Sequence, residues 1–335
     1  MLKISFKELV DTFERILLSR EVDPELAHLA ALNFAETSAD GVYSHGVNRF
    51  PRVIEYLDKG VVDGKATPEC VSAFGGFERW DGHMGLGNAN ARKAMDRACE
   101  LAKEHGIGIV AIGNTNHWMR GGAYGWQAAD NGCIGMCWTN TMPNMPAWGG
   151  MEPKVGNNPF IISIPKSDGR HIVVDMAMSQ FAYGKIELAR MKGEKLPVPG
   201  GWDSEGNVTT DPAEIEKTRR VLPIGYWKGS GMSIALDLVA AVLSGRNSVT
   251  DIGKKYTEEV GLSQVLIAID PECMNTKDLT DSIIDTVVED IKASTPEREG
   301  GKIFYPGEIE INTREDHMKN GIPVLEEVWE KIQSL

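Results

Sequence analysis

Between about residues 85 and 175, apolar strand-like runs alternate with helical stretches, and this alternation constrains the fold more than anything else in the chain. Asn88 to His105 reads as a helix stopped by Gly106, the residue type best suited to the left-handed position past a helix end. Ile107–Ile112 reads as a buried strand, with Gly113 to His117 as a polar loop after it. A short helix over 122–131, a strand over 134–140 and a hairpin of Phe160–Ile164 and His171–Asp175 around Ser167-Asp168-Gly169 continue the pattern. After an exposed excursion at 191–222, a helix at 232–244 and a strand at 264–270 return to it. Helices near 278–294 and 323–333 close the chain. Strands interleaved with helices bury their apolar faces in layers, so the expected class is α/β.

The first eighty residues read mostly as helices. Ser5 caps a stripe of Phe6, Leu9, Val10, Phe13, Ile16 and Leu17 at helical spacing. Asp23 and Pro24 open a second helix that runs to about Thr37, and a third over 48–58 carries Arg49 near its start. A doubly wound nucleotide-binding fold would show Gly-x-Gly-x-x-Gly between a strand and a helix. The nearest cluster, Gly82-His83-Met84-Gly85-Leu86-Gly87, has the reversed spacing, so the residues alone do not point to a dinucleotide.

At 335 residues the chain suits two lobes better than one. Its net charge of −13 argues against a nucleic-acid partner. The same charge means that an anionic ligand must be met by local cations, which draws attention to Arg49, Arg120 and Lys228. No uncharged run reaches the roughly 18 residues of a membrane span. Met1-Leu2-Lys3-Ile4 leads straight into a helix and lacks the layout of a signal peptide. Five cysteines, an odd number, suit reduced thiols in a cytoplasm better than a disulfide framework. Cys133 and Cys137 lie in a strand-like run with no histidine nearby in sequence, so burial rather than metal binding is expected there.

The stretch Gly41-Val42-Tyr43-Ser44-His45-Gly46-Val47-Asn48-Arg49-Phe50 carries the most chemistry. An imidazole titrates near ~6.5 and can give or take a proton around neutrality. A guanidinium fork matches a carboxylate. One helical turn would put His45 and Arg49 on the same face, and Gly46 leaves room for a ligand or a tight turn. The bland alternative is a helix end with a half-exposed histidine and an arginine in a surface ion pair. Asp175 ends the apolar run Val173-Val174-Asp175, where a lone carboxylate is costly. It reads either as a partner for an imidazole or as the N-cap of a helix starting at Met176. His117 sits in a Gly/Asn-rich segment, a usual place for functional groups. Tyr226-Trp227-Lys228-Gly229-Ser230-Gly231 precedes an apolar helix, and reads either as a phosphate-binding turn or as a plain loop.

VYSHGVNRF at 42–50, HGIGIVAI at 105–112, NHWMRGGAYGWQAA at 116–129, GYWKGSGMSIALD at 225–237 and, more loosely, MSQFAYG at 178–184 resemble the type-2 malate/L-lactate dehydrogenase family. The likeness runs from near the N-terminus to the last helix, and is strongest toward members that reduce sugar acids. It implies a non-Rossmann, three-layer α/β fold of the L-sulfolactate dehydrogenase type, around a mixed seven-stranded sheet. It also implies a helical substrate lobe from both chain ends (1–80 with 235–335) and a central cofactor-binding domain (81–234). The implied activity is NADH-dependent reduction of a 2-oxo sugar acid by a homodimer. On this likeness His45 is the proton donor, Asp175 orients or charges its ring, and Ser44 either completes a relay or bonds the local backbone. Arg49 takes the substrate carboxylate, and His117 contacts substrate or nicotinamide. The implied cofactor contacts are Val173, Val174, Asp175, Met176, Ala177, Met178, Ser179, Trp227, Lys228, Gly307, Glu308 and Ile309. Asn140, Thr141, Asn157, Asn158 and Pro159 are further candidates for holding the cofactor. The sugar-acid reductases carry a histidine after that glycine, where this chain has Glu308. An acidic residue beside the adenosine ribose would favour NADH over NADPH. Other 2-oxo acids (malate, lactate, sulfolactate, ureidoglycolate or a cyclic imino acid) and a non-catalytic binding protein stay open at this point.

Overall fold

The computed structural model describes residues 1–335. Ser5 accepts from the Glu8 amide and starts α1 (Phe6–Leu18), which buries Leu9, Phe13, Ile16 and Leu17. Asp23 caps α2 (Pro24–Ala39) through the amides of Glu25 and Leu26. This helix is buried on most sides because it runs through the middle of the helical layer. α3 (Phe50–Asp58) adds Phe50, Val53 and Ile54. Phe50 stacks 4.3 Å from Phe13 and meets Phe34 edge-on at 5.3 Å. The far end of the chain closes the layer: Ile322–Val324 pairs antiparallel with Leu2–Ile4, and Trp329 and Ile332 join the same core.

The rest is a layered sheet. In chain order its parts are β1 (Glu69–Phe74), β2 (Phe77–Asp81), α4 (Gly87–His105), β3 (Ile107–Asn116), α5 (Gly122–Asp130), β4 (Ile134–Thr139), β5 (Phe160–Ile164) and β6 (Ile172–Met176). Then come α6 (Tyr183–Lys192), α7 (Pro212–Thr218), α8 (Trp227–Ser244), α9 (Val249–Lys255), β7 (Val260–Ile269), α10 (Lys277–Ala293), α11 (Glu308–Asn320) and α12 (Glu326–Gln333). The seven strands lie in the order β1-β2-β3-β7-β4-β5-β6. Only β2 and β3 pair in parallel, so the sheet is mixed. Alternate residues of one strand serve opposite layers. Val110 and Ile112 pack with α4 and α5, while Ala111 and Val265 pack with Leu236 and Ala240 of α8.

Several elements differ from expectation. β3 runs on to Asn116, because its end pairs with Val260 and Leu262 instead of leaving the sheet as a loop. β7, assigned to the helical lobe by the expected division at 234/235, is the central strand of the sheet. β1, β2 and α11 were not expected at all. α8 starts at Trp227, so Gly229, Ser230 and Gly231 belong to its first turns and not to a loop before it. Gly229 is required there by packing, since a Cβ would lie 2.2 Å from the Ile224 carbonyl oxygen.

Candidate active site

The turn between α2 and α3 is held from beneath. Ser38 Oγ, in the last turn of α2, donates to the Phe34 carbonyl at 2.7 Å and accepts from the Val47 amide at 2.8 Å. A Cβ on Gly46 would lie 2.3 Å from that Oγ, so the glycine serves the packing of the turn on α2 and not a ligand. Residues 41–49 run as successive turns, and Arg49 is the N-cap of α3. His45 and Arg49 therefore come together by turn geometry and not on a shared helical face.

Ser44 Oγ lies 3.1 Å from Nδ1 of His45, which leaves Nε2 to address a ligand. The His45 and His117 rings stack, with centroids 5.8 Å apart and planes 20° from parallel. The Met119 amide donates to Nδ1 of His117 at 2.9 Å, so the neutral ring carries its proton on Nε2. That Nε2 and Nη2 of Arg49 each lie 3.7 Å from Oε2 of Glu259, the residue before β7. Arg49, Arg52, Tyr56, Asn116 and His117 line one cavity. Burial pushes His45 down to about 4, helped by Arg49 and Arg120 and opposed by Asp175. Burial likewise carries His117 well below its ordinary value, with Arg49 and His45 adding to the effect. Both rings are neutral at pH 7. Burial raises Glu259, and Arg49 pulls it back.

Asp175 lies within β6 and caps no helix. Its Oδ2 accepts from the Gly122 amide and from Arg120 Nε, each at 3.1 Å, and no hydrogen bond joins it to His45. The imidazole feels its charge, but its bonded partner is Arg120. Arg120 also bonds Asp40, which Arg314 of α11 grips through Nε and Nη2. The side chains of Arg120 and Asp40 are 4% and 3% exposed, so the network Arg314–Asp40–Arg120–Asp175 is buried through its middle.

Sequence reasoning missed Asp40, Arg314, Glu259 and Arg52. Asp40 carried a signal: it is the C-cap of α2, where a carboxylate meets the negative end of the helix dipole and needs cations. Glu259 gave none, because a carboxylate beside an apolar strand reads as a solvated strand end.

The implied cofactor segments converge on the edge strand β6. The Val173 amide donates to the Pro306 carbonyl at 3.0 Å, and the Ile224 amide to the Met178 carbonyl at 2.9 Å. This brings 173–179, the start of α8 and the start of α11 together. Met176 and Trp227 are left exposed there, and Ser179 Oγ is buried without a partner. Uncovered apolar side chains beside an unpartnered hydroxyl fit an extended ligand that is part aromatic and part polar. Glu308 does not offer its carboxylate to this surface: Lys292 and the Tyr305 amide hold it in a buried position. Asn140, Asn157 and Asn158 are internal braces. Asn140 bonds Asp237, Ser263 and Asn247, Asn158 bonds Ser233, and Asn157 accepts from Asn144. Thr141 is buried beside them. No helix is long and apolar enough to cross a membrane, and no His, Cys, Asp and Glu cluster forms a metal site.

A model of the malate/L-lactate dehydrogenase family matches residues 4–333. The chain is 46% identical over 334 residues to the 2,3-diketo-L-gulonate reductase of Citrobacter koseri, with 100% of both chains covered. The sulfolactate dehydrogenase of Methanocaldococcus jannaschii is similar in structure, with a TM-score of 0.89 at 30% identity over 99% of this chain and 96% of that one. The malate dehydrogenase of Entamoeba histolytica shares the fold, with a TM-score of 0.94 at 24% identity over 99% and 96% of the two chains. The mixed seven-stranded α/β architecture read from the family likeness is the one observed.

Proposed function

Because the chain belongs to the malate/L-lactate dehydrogenase family, we propose that it reduces 2,3-diketo-L-gulonate at C2 to 3-dehydro-L-gulonate with NADH. One juxtaposition carries this reading: the His45 ring stacks on that of His117 with centroids 5.8 Å apart, and His117 lines one cavity with the guanidinium of Arg49. Arg49 takes the substrate carboxylate on its fork. His45 gives a proton to the carbonyl oxygen as negative charge develops there. Nε2–H of His117 donates to that oxygen or to the carboxylate, and Ser44 keeps Nδ1 of His45 occupied. A nicotinamide, when bound, supplies the hydride. The convergence of 173–179 with the starts of α8 and α11 supports a cofactor along β6, with the Glu308 carboxylate turned away from it. The name of the Citrobacter koseri relative supports the sugar acid.

NADH oxidation followed by absorbance tests the reading. Turnover is expected with 2,3-diketo-L-gulonate and NADH, and little with pyruvate, oxaloacetate or NADPH. Turnover with a simpler 2-oxo acid alone would keep the mechanism and move the substrate. Turnover with none would reject the reading.

The same reading includes a homodimer, and all five cysteines are free thiols, as suits a cytoplasm. α8 supports the dimer: Ile234, Leu238 and Val242 recur every fourth residue and are 41%, 55% and 70% exposed. Such a stripe favours burial against a second copy. Val242→Lys should convert the dimer to a folded monomer by light scattering after gel filtration. A dimer that persists would place the interface elsewhere.

A further inference from the structure

The proposed reaction leaves one half-buried carboxylate, Glu259, at its centre unused. Glu258 turns to Tyr56, whose hydroxyl donates to it at 2.8 Å. Glu259 turns the other way, inward, as the chain enters the buried start of β7. Its Oε1 lies 3.4 Å from the Met142 amide, and its Oε2 lies 3.7 Å from both Arg49 Nη2 and His117 Nε2. At 3.7 Å neither contact is an ordinary N–H···O bond. The carboxylate therefore faces two donors across a gap without saturating either. Those are the two donors that the reading above presents to the substrate.

We infer that Glu259 is a specificity-determining residue, an internal anion that admits a monoanionic, hydroxylated 2-oxo acid and repels one bearing a second negative group. The inference rests on the proposed roles of Arg49 and His117. Arg49 can compensate one carboxylate. With Glu259 already beside it, a monoanionic substrate leaves the cluster one negative charge in excess and a dianion leaves two. A sugar-acid hydroxyl meets the same carboxylate as a hydrogen-bond donor, so a polyol chain gains where a second carboxylate loses. Arg52 lines the cavity as well, and no carboxylate lies within ion-pair distance of it. Its residue is exposed, so water screens its charge and it offsets Glu259 only in part.

Calorimetry on the full chain loaded with NADH tests this with tartronamate and tartronate, hydroxy acids of similar size that differ by one charge. The wild type should bind tartronamate at least tenfold more tightly. Glu259→Gln keeps the size and removes the charge, and should tighten tartronate at least tenfold more than tartronamate. Glu259→Asp should keep the wild-type preference. Equal changes for both anions, or a wild-type preference for tartronate, would overturn the inference. Should Glu259→Gln fail to fold, the wild-type preference and its persistence in Glu259→Asp decide it. Selective binding without turnover of any 2-oxo acid would reject the reductase reading and leave the role of Glu259 standing. Turnover without the shift would do the reverse, and failure of both anions to bind would reject both.

Discussion

Replacing His45 by glutamine lowers kcat for 2-oxo acid reduction by roughly 10²–10⁴-fold, the usual worth of a general acid, while NADH still quenches the intrinsic fluorescence. The pH dependence has a definite sign. In the free enzyme burial holds His45 down at about 4, and the proposed proton transfer to the ketone draws on its imidazolium. Because kcat/KM reports the free enzyme, it falls as pH rises above that value. A substrate carboxylate on Arg49 cancels part of the charge that depresses the ring, so kcat, which reports the complex, holds to higher pH before it falls. In the oxidative direction the neutral ring is already the base, and kcat/KM rises where the reductive one falls. Stability follows the same titration. The folded value lies below the unfolded ~6.5, so the folded state binds fewer protons between those two values. The stabilisation is full above the unfolded value and is lost as pH falls toward about 4, with His117 adding in the same direction. His45→Gln should lose less stability over that window in urea titrations. A variant that keeps more than about a tenth of wild-type turnover would remove His45 from the role that general acids fill.

What was legible in the sequence follows from how local each signal was. α1, α2 and α4 were readable because cap, stripe and stop lie within one helix: Ser5, Asp23 and Gly106 do what their residue types favour. The start of α8 was not, because Gly229 and Gly231 read as a loop. The reason for Gly229 is the Ile224 carbonyl pressed against it, a contact set by the preceding turn. The residues at 41–50 offered candidate chemistry, and the family likeness offered the roles proposed for them. The structure corrects the geometry, since the residues form turns pinned by Ser38 and not a helical face. Glu259 and Arg314 were invisible because their partners lie far away in sequence: Arg49 and His117 for one, Asp40 for the other. A charged side chain shows its purpose in a sequence only when its counter-charge is near it. The exception was Asp40, whose place at a helix C-terminus was already a local conflict.

That conflict leads to the largest expected loss of stability. Arg120→Met removes the cation shared by Asp40 and Asp175, leaving Asp40 to Arg314 alone and Asp175 to the Gly122 amide. Breaking a buried ion pair from one side costs about 3–5 kcal/mol, because the partner's charge stays buried. The urea midpoint at pH 7 should fall accordingly. Asp40→Asn should cost a similar amount, since Arg120 and Arg314 then face each other across a neutral amide. The two variants part company at His45. Arg120 depresses the imidazole and Asp175 raises it. Without Arg120 the ring therefore moves up, and the break in reductive kcat/KM moves to higher pH. Without the charge of Asp40, Arg120 is less compensated, so the ring moves down and the break moves to lower pH. General loosening of the fold would let water in around His45 in both variants and move both breaks upward together. Opposite shifts at matched losses of stability would therefore mean that the network sets the charge on His45 through Arg120 and Asp175. Shifts in one direction would reduce it to a staple that joins α2, β6 and α11.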